Sequence, residues 1–211
     1  MYTENIINNI FKEYKPYING ASEFKRAAVI VPLIKRGNTF NVLFELREDK
    51  LTTNPGEVCF PGGSIDKGET PLDAALRECY EEIGVKKEQI TIVCSLDIYI
   101  SNNNILIHPF LAYIDENAKF TLSKDEVKEV FEVPLEDLLN IKPFSVNNKV
   151  IIEHNENFPY EFVKNNKNHK FKDGVYRSVF YKYKDYFIWG LTGRILENFL
   201  EFIKVHESEF K

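Results

Sequence analysis

The chain reads as an α/β (α+β) protein, a mixed β-sheet covered by helices on both sides, and three observations predict it. Short apolar runs with strand character recur along most of the length, while few segments carry helical periodicity. One of the helical segments, between Gly63 and Val85, is bounded by residues that start and stop helices. With 211 residues and 44% hydrophobic content the chain can bury one substantial core, and no linker-like stretch divides it. Residues 1–23 are read as an N-terminal helical extension and residues 24–211 as one domain.

The extension rests on Ile6, Ile7, Ile10, Phe11 and Tyr14, whose helical spacing gives an amphipathic helix suited to packing or to a dimer surface. Strands are expected at Val29 to Ile34, Val42 to Leu46 and Glu57 to Phe60. Further strands are expected at Ile90 to Val93, Asp97 to Ile100 and Ile105 to Ile114. Leu135 to Leu139 and Thr192 to Lys204 read as helices, with Trp189 a core anchor at the start of the last one. Residues 147–174 turn polar and rich in Asn and Lys, broken by Phe158, Tyr160 and Phe162. They read as variable loop material or as a hairpin lid over a ligand.

The segment from Gly63 to Val85 is the most specified part of the chain. Thr70 is placed to cap a helix, Pro71 fits its first turn, Asp73 completes a variant capping box, and Gly84 ends it. At 100° per residue Leu72, Ala75, Leu76, Cys79 and Ile83 form a stripe for the core, while Glu78, Glu81 and Glu82 share another face. Like charges at these spacings destabilise a bare helix. Clustered carboxylates suit Mg²⁺ or Mn²⁺, whereas zinc or copper would call for histidines and thiolates that are not clustered here. Such a cation relieves the repulsion, polarises phosphoryl oxygens and lowers the pKa of a bound water. A solvated acidic face is the plainer explanation of the charge run. The added fixed spacing of Gly63, Glu69, Arg77, Gly84 and Val85 favours the functional one.

The run GSIDKGETPLDAALRECYEEIGV resembles the Nudix box, G-x5-E-x7-R-E-U-x-E-E-x-G-U with U aliphatic, and departs from it only at Cys79, a small apolar thiol in the first U position. The resemblance implies the Nudix α/β/α sandwich and metal-dependent hydrolysis of a diphosphate without a covalent intermediate. It makes Glu78, Glu81 and Glu82 the metal ligands, with the Gly62 carbonyl a further candidate. It makes Arg77 the residue that holds a glutamate in place, four residues before Glu81, and Glu69 a structural partner for Arg77 or a ligand through water. The base that activates water in such enzymes is a box glutamate or a carboxylate on a later loop, for which Glu126 and Glu129 are the candidates.

Upstream, Leu43-Phe44-Glu45-Leu46-Arg47, Gly56 and Phe60-Pro61-Gly62-Gly63 keep the spacing of the signature L-L-T-x-R-[SA]-x3-R-x3-G-x3-F-P-G-G. The coenzyme A diphosphatase branch of the Nudix proteins carries that signature. Thr52 stands in place of the second arginine, Glu48 in place of Ser or Ala, and Glu45 in place of Thr. Arginine grips phosphate with a planar fork, and Lys50 is a nearby substitute only as a point charge. Arg47, Lys50, Gly62 and Gly63 are therefore the substrate-binding candidates. The resemblance continues through Arg26 to Leu33, Ile107 to Phe110, Asp125 to Leu135 and Ile188 to Thr192, and covers about residues 24 to 203.

The expected reaction is hydrolysis of coenzyme A or an acyl form to 3′,5′-ADP and 4′-phosphopantetheine or its acyl derivative. A broader nucleoside diphosphate-X hydrolase, acting on ADP-ribose or NADH, is the alternative. An isopentenyl diphosphate isomerase type would show a degenerate box, and a non-catalytic nucleotide sensor would lack one of the three glutamates; neither is the case. With net charge −5 nothing suggests a basic surface for long nucleic acid, and none is expected as a partner. Cys59, Cys79 and Cys94 lie singly in apolar segments and read as reduced core thiols, and His108 as a satisfied strand histidine. The chain shows no signal sequence or apolar membrane span, and Glu209-Phe210-Lys211 is no peroxisomal address, so a cytoplasmic location is expected, while the resemblance implies a monomer or homodimer with a small nucleotide substrate.

Overall fold

In a computed structural model the chain is described from Tyr2 to Glu209; Phe210 and Lys211, on which the reading of the C-terminal address rests, lie outside it. Helix α1 (Glu4–Phe11) is capped by Thr3 and has no buried residue, and Tyr14 lies beyond its end. Strand β1 (Lys25–Arg36) begins four residues before the expected span and ends two residues after it. It pairs in parallel with β7 (Ile105–Ile114) and antiparallel with β2 (Thr39–Arg47).

The main sheet parts where the site forms. β1 pairs β2 only from Leu33 to Arg36, and farther back its same edge is taken by β4 (Gly62–Ser64) at Ala27 to Val29. β2 leaves β1 after Val42 and pairs β3 (Val58–Cys59) at Glu45 and Leu46. The Phe60-Pro61 step between β3 and β4 thus crosses a split in the sheet, fixed by an Ile30 amide donating to the Pro61 carbonyl. Gly62 and Gly63 both lie in the short strand β4. Gly62 has φ +150°, and a Cβ there would lie 2.3 Å from the Ala28 carbonyl oxygen, so only glycine fits.

Helix α2 (Pro71–Ile83) covers one face, packing Ala75, Leu76, Cys79 and Ile83 on Ala28, Ile30 and Leu43. The other face, with Val31, Leu33, Val42 and Phe44, packs on helices α3 (Leu135–Asn140) and α4 (Gly190–His206). The two layers are the expected sandwich, and alternation along β1 and β2 supplies both cores.

Around this frame β5 (Ile90–Ser95) and β6 (Tyr99–Ile100) pair β7, and β8 (Val127–Pro134) pairs β2. A separate small sheet of β9 (Phe144–Val150), β10 (Gly174–Tyr183) and β11 (Tyr186–Ile188) joins Val150 to Gly174 across the 151–173 excursion.

Several sequence expectations are corrected. β8 is not among the expected strands; Val127, Val130 and Val133 supply strand positions between the charges, and Glu126 stays in the turn before it. Cys94 is exposed at an irregularity between β5 and β7, and Cys59 is only half-buried, so Cys79 alone is a fully buried core thiol. Trp189 is 40% exposed and stacks on Phe180 at 5.5 Å, not in the core. His108 Nε2 is buried without a hydrogen-bond partner among the described residues. Burial and Arg26 hold its pKa below the ordinary value.

Candidate active site

The ends of α2 follow their sequence signals. The Thr70 hydroxyl accepts from the Asp73 amide at 3.2 Å and donates to its carboxylate at 2.6 Å, and Gly84 closes the helix at φ +74°. Those caps fix where the helix begins, and hence where Arg77, Glu78, Glu81 and Glu82 point over the split sheet.

Arg77 is the centre of the exposed half of the cluster. It donates to Glu69 through Nε at 3.0 Å and through a terminal nitrogen at 3.1 Å, to Glu78 at 2.8 Å, to Glu81 at 2.9 Å and to the Ser64 carbonyl at 3.0 Å. Its partner carboxylates raise its pKa, and Arg77 in turn lowers that of Glu69. The expected i, i+4 contact with Glu81 and the pairing with Glu69 are therefore both present, and the planar fork is used in full.

Glu82 behaves differently from its neighbours: it is 2% exposed and accepts from the Gly62 amide at 2.8 Å. Its other oxygen stands 4.0 Å from Arg47. Burial, Glu45 and Glu78 drive its pKa upward, with the Gly62 hydrogen bond opposing. Glu78 sits against Gly63, where a Cβ would lie 2.5 Å from its Cδ. Burial also raises its pKa, against the pull of Arg77.

One buried acid here was not among the sequence candidates. Glu45, on β2, is fully buried. Its Oε1 accepts from the Cys59 thiol at 3.0 Å, while Oε2 has no partner among the described residues. Burial pushes its pKa up, with Cys59 and Arg47 opposing and Glu126 and Glu78 adding to the rise. In the sequence it is a charge inside the apolar run Val42-Leu43-Phe44-Glu45-Leu46, at the position where the signature has threonine.

The remaining candidates separate. Arg47 lines a cavity of about 180 Å³ on the α4 side of the split, with Gly62, Gly63, Ile107, Leu191 and Ile195, and its Nε has no partner among the described residues. Lys50 is turned away to the surface, bonded to Asp125 at 2.9 Å and to the Lys124 carbonyl. Glu126 precedes β8 and its charge is felt by both Glu45 and Glu78. Glu129 pairs with Leu46, one residue out of phase with Glu45 and Val130. Its side chain therefore lies on the opposite face of the sheet, where it accepts from the Tyr186 hydroxyl at 2.9 Å. Glu129 is not brought to the cluster.

The donors suit a small hard cation: three box carboxylates, a glycine whose missing Cβ makes room for one of them, and an orphaned buried oxygen on Glu45. Among the described residues no three His, Cys, Asp or Glu side chains converge on one point, and Arg77 instead engages Glu78 and Glu81.

A NUDIX domain model matches residues 24–154, and the chain belongs to the Nudix hydrolase family, whose members generally use divalent metal ions. Among curated proteins, the peroxisomal coenzyme A diphosphatase NUDT7 of Mus musculus is 44% identical over 114 residues. The match covers 54% of this chain and 48% of that protein, so the chain spans about half the length of the mouse relative. An uncharacterized Nudix hydrolase NudL of Citrobacter koseri is 29% identical over 188 residues, 88% of this chain and 87% of the relative. Among solved structures, a MutT/nudix family protein from Enterococcus faecalis shares the fold at TM-score 0.51 and 15% identity, covering 99% of this chain and 70% of that one. A Caenorhabditis elegans Ap4A hydrolase binary complex matches at TM-score 0.47 and 27% identity over 55% of this chain and 83% of that one. No helix among the described residues is long and apolar enough to cross a membrane.

Proposed function

We propose that the protein hydrolyses the diphosphate of coenzyme A or an acyl-coenzyme A with Mg²⁺ or Mn²⁺, releasing 3′,5′-ADP and 4′-phosphopantetheine or its acyl form. The observation that carries this reading is the complete glutamate box held over the split sheet, joined through Phe60-Pro61-Gly62-Gly63 to Arg47 in the adjoining cavity. The sequence similarity to the mouse coenzyme A diphosphatase supports the same substrate class.

Glu78, Glu81 and Glu82 are the residues that hold the divalent ion. The ion supplies charge neutralisation at the diphosphate and activation of water. Arg77 orients Glu78 and Glu81 from the side and ties them to Glu69, so their geometry does not depend on long free side chains. Glu126 is the carboxylate that takes the proton of the attacking water: its charge is felt by Glu45 and Glu78, whereas Glu129 lies on the opposite face of the sheet, bonded to Tyr186. The Arg47 guanidinium, with an unused Nε–H, meets a phosphate oxygen in the cavity.

A broader nucleoside diphosphate-X hydrolase is the second reading, favoured by Thr52 in place of an arginine and by Lys50 being engaged with Asp125. The test is to incubate the protein and either metal with coenzyme A, dephospho-coenzyme A, ADP-ribose and NADH, and identify products by mass spectrometry. Preference for coenzyme A is expected; equal or faster turnover of dephospho-coenzyme A refutes the assignment.

A further inference from the structure

Glu45 is costly to keep. A carboxylate without solvent and with one oxygen unpartnered loses hydration that a thiol hydrogen bond at 3.0 Å does not restore. Among the described residues no cation forms an ion pair with it: Arg77 is committed to Glu69, Glu78 and Glu81, and Arg47, whose charge acts on Glu45 from farther off, comes within ion-pair distance of Glu82 at 4.0 Å. Buried charges are retained where a partner of opposite sign joins them.

The register says which way Glu45 points. Leu43, two residues earlier on β2, packs under α2 with Cys79 and Ile83, whereas Val42 and Phe44 pack on the α4 side. Glu45 therefore faces α2 from below, at the place where β2 has parted from β1 and where Glu82 descends from α2 to the Gly62 amide. Cys59, directly across β3 from Glu45, closes the other side with its thiol. Glu45 thus lies on the sheet surface beneath α2, close enough to the box that its charge acts on both Glu82 and Cys59.

We propose that Glu45 is a further carboxylate donor to the divalent centre, contributed by the sheet beneath α2 through Oε2. This rests on the metal-site reading of the box given above. It also explains why a position that is threonine in the related signature carries an acid here: the chain adds a negative charge to the centre, with an oxygen already stripped of water and fixed by its strand. Glu45, fixed by its strand, and Glu82, buried and held by the Gly62 amide, form the rigid half of the donor set, and Glu78 and Glu81 the half shared with Arg77.

The experiment is a calorimetric or electron paramagnetic resonance titration of the full chain with Mn²⁺ at about pH 8, where the metal competes with fewer protons for the carboxylates. The proteins compared are wild type, Glu45→Gln, Glu45→Thr and Glu81→Gln, with a metal-free melting curve for each. The expected result is that both Glu45 variants melt at or above the wild-type temperature and bind Mn²⁺ more weakly by about tenfold or more, as removal of a metal-site group does. Folded Glu45 variants that bind Mn²⁺ as tightly as wild type, while Glu81→Gln binds weakly, overturn the role of Glu45 and leave the box standing. Absence of Mn²⁺ binding by the wild type overturns both.

Discussion

Gly63 and Glu78 share one small volume: a Cβ added to Gly63 would lie 2.5 Å from the Glu78 Cδ and within 2.7 Å of both its oxygens. The glycine that opens the box is thus explained by the acid it must accommodate. The atom in the way is the end of a flexible side chain, so Gly63→Ala is expected to displace Glu78 at little cost to folding. Activity should fall about 100-fold, the usual consequence of an ångström-scale misplacement, with the melting temperature nearly unchanged. Gly62→Ala should behave oppositely and destabilise, because its Cβ meets the Ala28 backbone. Thermal melts and kcat for the pair check the contrast.

Arg77→Lys retains the charge and loses the fork. A single ammonium cannot serve Glu69, Glu78, Glu81 and the Ser64 carbonyl together. The variant is expected to fold and to lose kcat by about 10- to 100-fold, with a smaller change in KM. Steady-state kinetics decide it; wild-type kcat in Arg77→Lys would mean that the orientation of Glu78 and Glu81 is set elsewhere.

The two later carboxylates should respond differently. Glu126→Gln is expected to lower kcat by about 100-fold or more as a lost general base, whereas Glu129→Gln keeps an acceptor for Tyr186 and should leave kcat near wild type. Equal effects, or the reverse order, would move the base away from Glu126.

Metal-free stability should fall as pH rises. Glu82, whose pKa burial pushes up to about 9, and Glu45, pushed up to about 7, hold protons more tightly folded than unfolded, where the ordinary value is 4.5. Folding is therefore favoured by protonation, and the contribution present below 4.5 is lost as pH rises through the folded values. His108 has the opposite sign, but its effect ends by its ordinary value of 6.5. Between 6.5 and about 9 the melting temperature should decline without metal and recover with excess Mg²⁺ or Mn²⁺. A flat or rising metal-free profile would contradict the buried pair.

The caps and spacing of the box were legible because each acts within one helix: Thr70, Pro71, Asp73 and Gly84 specify ends, and 100° per residue specifies faces. What escaped depends on pairing between distant strands. Glu45 became visible only when β2 was seen to leave β1 and turn that face under α2. Glu129 looked equivalent to Glu126 until β8 set it opposite Leu46, which sends its side chain to the other face. The β9–β10 pairing stood open between loop and hairpin, because Asn and Lys fill an exposed strand where alternation of apolar residues has nothing to bury against.

The most direct test of the account is product identification with coenzyme A and Mg²⁺ or Mn²⁺ for wild type, Glu81→Gln and Glu82→Gln, all confirmed folded. The account predicts 3′,5′-ADP and 4′-phosphopantetheine from the wild type and rates lower by roughly 1,000-fold or more in both variants, the scale of losing charge stabilisation in such a site. Undiminished turnover in both variants, or products other than these two from the wild type, would contradict it.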